Sequence, residues 1–254
     1  MIPGLVSITF RKLSPQEIIA ACLQTGLRCI EWGGDVHVPH GNLNAAEKVG
    51  AMTRDAGLSV AAYGSYYRLA TDDGLDFSNI VETAAELGAP VIRVWAGTLG
   101  SAQCSASQKA AVAADALHCA DLAGARNIRI AYEFHGGTLT DTAQSAMELL
   151  EATAHPFIKT LWQPSHGLSL DECLSGLKLL MPRLEHVHVF HWCGEPAARF
   201  PLADGWERWS AYVAELRRNE KNCPLTLEFV KEDALASLQA DAQTLRTLCT
   251  QSEG

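Results

Sequence analysis

The stretch LEHVHVFHW places histidines at 186, 188 and 191, the first two alternating with valines. On an extended chain that alternation throws His186 and His188 to one side and Val187 and Val189 to the other. A metal site, a proton relay or a polar strand core would each use such a pattern. Three more groups stand at the ends of short β-rich runs: Glu133 in RIAYEF, Gln163 in KTLWQ and Glu228 in LTLEF. By the same alternation Glu133 shares a side with Ala131, Gln163 with Leu161, and Glu228 with Thr226, while Ile130, Tyr132, Leu225, Leu227 and Phe229 face the other way. Two carboxylates, one imidazole and one amide oxygen make a mixed oxygen and nitrogen donor set. Buried carboxylates are costly unless paired, protonated or coordinated. A divalent cation answers that cost, and its charge matches two negative ligands. Such donors suit manganese, cobalt, magnesium or zinc without choosing among them. A single inward histidine is more often a hydrogen-bonded core residue than a ligand. The case for metal rests on four such residues reaching one height together.

That convergence requires a scaffold. Four segments rhyme: LQTGLRCIEW, RDAGLSVAAY, AELGAPVIRV and LAGARNIRIAYE. Each reads as the end of a helix, a glycine (26, 57, 88, 124) suited to a left-handed cap, and a strand. Ser14 to Glu17, Ser105 to Gln108 and Ser169 to Glu172 have the form of helix-starting capping boxes. Strands are predicted at roughly 4–10, 27–32, 58–64, 90–96, 127–134, 158–163, 184–190 and 224–230. Helices are predicted at roughly 14–25, 42–56, 77–88, 105–124, 141–153, 169–181, 206–219 and 234–250. Strict alternation implies parallel strands with right-handed crossovers. Eight units in 254 residues match a (β/α)8 TIM barrel, read as one α/β domain over 1–254. A doubly wound open sheet is the rival, but SITFRKLSPQE lacks the glycine-rich turn expected after its first strand. In a barrel, residues at the C-terminal strand ends do the chemistry.

Composition sets outer bounds. The net charge of -9 argues against a partner of nucleic-acid type. No apolar run approaches the ~18 residues of a membrane span. None of the eight cysteines forms a C-x-x-C pair, and the first residues lack a secretory pattern. The expectation is a cytoplasmic protein with reduced thiols. A homo-oligomer stays open.

YEFHGG, QPSH, HVHVFHW and LTLEF, in that order and spacing, resemble the xylose-isomerase-like TIM barrels of the sugar phosphate isomerase/epimerase superfamily. GLRCIEW at the second strand fits the same likeness, which spans nearly the whole chain. The resemblance implies metal ligands at Glu133, Gln163, His188 and Glu228, with Glu133 and Glu228 as the catalytic acid/base pair. Gln163 departs from the pattern, since many relatives carry aspartate there. The neutral amide implies weaker metal binding and a more Lewis-acidic ion. By the same likeness His166 falls at a substrate- or metal-contacting position, and Arg199 at that of a substrate-holding arginine.

Tyr63, Tyr66, Trp95, Phe134, Trp162 and Trp192 cluster near the strand ends. Trp95 and Tyr63 are the candidate aromatic wall for the C–H faces of a sugar. Trp162 is expected to pack on the helices. His186 is expected one layer deeper, as a hydrogen-bonding neighbour of His188. Glu31 is a candidate for a substrate hydroxyl or for a pair with Arg93. The expected function is a metal-dependent sugar isomerase or epimerase that moves a proton next to a carbonyl through an enediolate. A dehydratase of a keto-inositol or dehydroshikimate-like substrate is the alternative, and a non-catalytic sugar-binding barrel a remote third. A nuclease of the related endonuclease branch would need histidines at the third and fourth strands, where Tyr63 and Trp95 stand.

Overall fold

In the computed structural model, residues 1–194 and 197–250 are described. The strands run β1 (Ile2–Val6), β2 (Cys29–Gly33), β3 (Ser59–Arg68), β4 (Val91–Trp95), β5 (Arg129–Tyr132), β6 (Ile158–Trp162), β7 (Leu184–Val189), β8 (Trp192–Cys193), β9 (Ala198–Arg199) and β10 (Pro224–Leu227). Between them lie α1 (Pro15–Thr25), α2 (Leu43–Asp55), α3 (Phe77–Leu87), α4 (Ala106–Gly124), α5 (Ala143–Ala152), α6 (Leu170–Leu180) and α7 (Trp206–Arg218), and α8 (Leu235–Thr250) closes the chain. The eight long strands form a closed parallel barrel in the order β1-β10-β7-β6-β5-β4-β3-β2. Closure leaves no unpaired edge in it. The fold is the expected (β/α)8 barrel in one domain. β8 and β9 form a short antiparallel hairpin in the segment after β7. Among the described residues no helix is long and apolar enough to cross a membrane.

The first strand is shorter than expected. It ends at Val6, and Ser7–Phe10 turn as a 3-10 helix. Polar side chains take over the ladder's work there. Ser7 Oγ accepts the Gly33 N–H at 2.9 Å, and Thr9 Oγ1 accepts the Phe229 N–H at 3.0 Å. Gly26, Gly57 and Gly88 adopt the left-handed backbone assigned to them, but Gly124 does not. It is the last residue of α4, and Asn127 (φ 56°) makes the left-handed turn instead. Gly124 is small for another reason: a Cβ there would meet the Phe157 ring at 3.0 Å.

The main core lies between strands and helices. Trp162 packs there against Tyr212 of α7, as expected. Inside the barrel Ala62, Val91 and Ala131 form a separate small apolar cluster. Ala62 lies level with Glu31 and Ala131 level with Arg93, so their short side chains leave room on the axis for those larger polar groups.

All three capping boxes form, each serine accepting the N–H three residues on while the Glu or Gln side chain returns to the serine N–H. Ser105→Ala should therefore lower stability by about 1 kcal/mol through the lost cap of α4. Urea titration of the two proteins measures it, and coincident midpoints would show the cap to be silent.

Candidate functional site

Strand alternation delivers the inward residues. Trp32, Val187, Val189 and Tyr132 go to the helix side, so Glu31, His186, His188 and Glu133 meet on the axis. Two registers tune the heights. β2 shifts against β3 between Ile30 and Glu31, and β6 shifts against β7 so that Leu161 lies beside His186. Glu133 and Glu228 stand one residue past their strands, yet each N–H still bonds the neighbouring strand, to Val94 O at 2.9 Å and Val189 O at 3.0 Å. Phe229 then turns with φ 53°. It therefore leaves the outward course expected of it and approaches Trp192 in the segment after β7.

The result is a continuous buried network. Glu31 is fully buried at its centre, and its Oε2 accepts from His186 Nε2 and His188 Nε2, both at 2.9 Å. Its Oε1 lies 2.8 Å from Arg93 Nε. Arg93 Nη1 and Trp95 Nε1 both donate to Glu133 Oε2. On the far side, His188 Nδ1 is 3.3 Å from Glu228 Oε2. Burial opposes charge on Glu31, but His188 and Arg93 outweigh it and hold the carboxyl well below its usual range. Glu228 is lowered as well, because His188 overcomes its burial. Burial also opposes a charge on His188, yet Glu228 and Glu31 push it up to about 10. Arg93, facing Glu133 and Glu31, is raised despite its burial.

Two candidate metal groups emerge: Glu133, His188 and Glu228, and Glu31, His186 and His188, each with ligand atoms within 4.8 Å of one another. The second is occupied by its own hydrogen bonds and by Arg93. The first suits a divalent ion on three grounds. Three buried carboxylates face one guanidinium, so once His188 gives up its second proton two negative charges are left for a 2+ ion to balance. Gln163, largely buried, turns its Oε1 to a place where no described group donates to it. His188 gives its Nε2–H to Glu31, which fixes the tautomer that leaves Nδ1 as donor atom.

The outer candidates divide. Trp95 is half-buried at the mouth, bonded to Glu133 and stacked on His135 with ring centres 4.8 Å apart. His166 is exposed on the loop after β6 and borders a cavity of about 390 Å³ with Phe190, Trp192 and Arg208. Arg199 donates to Asp233 at 2.6 Å and lies over the Phe229 ring. Two assignments are corrected. Tyr63 is fully buried and faces away from the axis, its hydroxyl donating to Val38 O at 2.7 Å. Ala62 holds the inward position opposite Glu31, so Tyr63 is no wall. Glu31 is fully buried beside His188, and of its two expected roles the pair with Arg93 is the one the structure shows. Arg93's grip on Glu133 went unread, although Arg93 and Trp95 alternate onto one face in VIRVW. Glu31's bond to both histidines had no local signal, because 155 residues separate it from His186.

Fold and site together define a TIM barrel with a carboxylate and imidazole centre at its C-terminal end. A family model described as xylose isomerase-like TIM barrel matches residues 19–248, and the chain belongs to that family. It is 22% identical over 276 residues to a 3-dehydroshikimate dehydratase of Bacillus anthracis, with 95% of each chain covered. Its fold matches the crystal structure of a probable 3-DHS dehydratase involved in petrobactin synthesis in that organism (TM-score 0.83, 22% identity, 97% and 99% covered). It also matches D-psicose 3-epimerase of Clostridium cellulolyticum H10 (TM-score 0.73, 12% identity, 98% of each chain). A Mycobacterium smegmatis barrel in complex with magnesium matches with a TM-score of 0.69 at 12% identity (97% and 96% covered).

Gly64 shows how tightly the network is fitted. A Cβ there would stand 2.6 Å from Arg93 Nη2 and 3.0 Å from Glu31 Oε1. Gly64→Ala is expected to force that buried pair apart and cost about 3 kcal/mol, the scale of breaking a buried ion pair. Thermal unfolding checks this, and an unchanged transition would mean that the guanidinium yields freely.

Proposed function

We propose that the protein is a divalent-metal-dependent dehydratase acting on a cyclic hydroxy-keto acid of the 3-dehydroshikimate type. Glu133, Gln163, His188 and Glu228 would hold the ion. When bound, it supplies a Lewis acid for the substrate's carbonyl oxygen and so acidifies the adjacent C–H. Glu228 is the base: its carboxylate is ionised and lies beside His188. It takes the proton next to the carbonyl, the β C–O bond breaks, and the same proton returns to the departing hydroxide as water. Proton abstraction and water loss can thus share one carboxyl group. Glu31 and His186 keep His188 in register beneath. Trp95, Phe190 and Trp192 give the mouth an apolar border, which strengthens the electrostatics within.

The observation that carries this reading is the state of Glu133. Arg93 and Trp95 both donate to its Oε2, so it is committed as a held carboxylate. Epimerisation needs two mobile proton carriers on opposite faces, and elimination needs one. The similarity to a 3-dehydroshikimate dehydratase points the same way. The sugar isomerase or epimerase reading stands second, favoured by the flanking of His188 by Glu133 and Glu228.

Incubating manganese-loaded protein with 3-dehydroshikimate should give a catechol acid and water, seen as a new aromatic absorbance. Glu228→Gln should lower turnover by about a hundredfold or more, the scale of losing a positioned acid/base. Deuterium incorporation into ketoses in heavy water, with no aromatic product, would transfer the assignment to the epimerases. Full activity of Glu228→Gln would remove its role.

Metal loading should carry a proton signature. His188, raised to about 10, must release a proton to ligate. Below that value affinity should climb about tenfold per pH unit, from about pH 6 to about pH 9. Gln163→Asp should tighten binding by about tenfold through the added charge. A flat pH profile, or equal affinity in Gln163→Asp, would take His188 or residue 163 out of the ligand set.

A further inference from the structure

Arg93, Arg11 and Arg199 at the C-terminal end of the barrel have acidic partners, while Arg208, beside His166, bonds Leu168 O and the Tyr212 hydroxyl instead. Arg93 is buried against Glu31 and Glu133. Arg11 pairs with Asp35 and donates to the Tyr66 hydroxyl at 3.1 Å. Arg199 pairs with Asp233. Arg68 is half-buried and has no acidic partner among the described residues. Its guanidinium carbon lies 4.6 Å from the centre of the Trp95 ring.

The chain goes to some cost to put it there. The register of β3 against β4 shifts between Gly64 and Arg68. Within the shift Tyr66 has φ 58°. A non-glycine residue in that region is strained and persists only where its surroundings fix it. They do so here: Ser65 Oγ donates to Arg93 O at 2.6 Å and accepts the Tyr67 N–H at 3.2 Å. The shift brings Arg68 level with Trp95. One indole therefore links two charges, its N–H on Glu133 and its ring beneath Arg68.

We propose that Arg68 is the anchor for a carboxylate on the substrate, an inference that rests on the dehydratase reading above. A guanidinium offers a planar fork that a carboxylate accepts in bidentate fashion. Stacking on Trp95 holds the fork in place before the ligand arrives, so less rotamer freedom is lost on binding. A ligand with its carbonyl at the Glu133, His188 and Glu228 centre and its carboxylate on Arg68 lies along Trp95. A six-membered ring bearing a ketone and, two ring positions away, a carboxylate has that shape. A neutral ketose has no group for Arg68, so this residue sorts keto acids from sugars.

The test uses shikimate, which keeps the carboxylate but has no ketone, and its methyl ester. Calorimetry on manganese-loaded wild type, Arg68→Gln and Arg68→Lys gives the acid-to-ester affinity ratio, with circular dichroism and metal content confirming intact protein. Wild type should prefer the acid by about tenfold or more, the scale of one charge-assisted hydrogen bond. Arg68→Gln should bring the ratio near one, and Arg68→Lys should keep part of it. Equal binding of acid and ester by wild type, or an undiminished preference in Arg68→Gln, overturns the anchor. The reaction is judged separately. A preference lost in Arg68→Gln, without dehydration of 3-dehydroshikimate by wild type, keeps the subsite and discards the dehydratase. Dehydration without the preference does the reverse. No binding of either compound and no dehydration overturns both.

Discussion

A carboxylate with no access to water sits on the barrel axis, and much of the site is arranged around it. Glu31 is tolerable there only because two imidazoles and a guanidinium surround it. Its demand for positive partners fixes the tautomer of His188, brings Arg93 inward and so determines what Arg93 can hold on its other side. Glu133 is oriented by the same guanidinium. Remove Glu31, and both the orientation of His188 and the posture of Glu133 lose their cause. The small residues around it, Ala62, Val91, Ala131 and Gly64, serve this arrangement by what they lack.

The asymmetry of the two outer glutamates follows from that constraint. Both sit one residue beyond a strand and both approach His188. Only Glu133 accepts from Arg93 and Trp95. Sequence makes them look equivalent, and the network separates them: Glu133 is held by a guanidinium and an indole, whereas Glu228 faces His188.

Periodicity and caps made most of the fold legible. The helix ends at Ser14, Ser105 and Ser169 were readable because capping is a local transaction between residues three apart. The exceptions are equally physical. Ser7 and Thr9 replace ladder bonds with side-chain bonds, which alternation of residue types does not reveal. Alternation also placed Glu133, Gln163, His188 and Glu228 on one face. Tyr63 was named only for its place near a strand end, and the register of β2 against β3 puts its neighbour Ala62 level with Glu31. Bonds such as Glu31 to His186 and His188 join distant strands and leave no local trace. Arg68 was unreadable for a related reason: its place over the Trp95 ring depends on the register shift of β3 against β4.

The depth at which each arginine sits governs how it responds to dissolved salt. Ions screen exposed charges within about 8 Å at physiological ionic strength but do not enter a closed core. Arg93 and its two glutamates are sealed by the strands, so concentrated brine leaves their attraction intact. Arg68 and the Arg11–Asp35 and Arg199–Asp233 pairs have access to the solvent and its mobile ions. The barrel thus has a salt-indifferent interior beneath a salt-sensitive entrance: an electrolyte would weaken the charges at the mouth without loosening the buried network below.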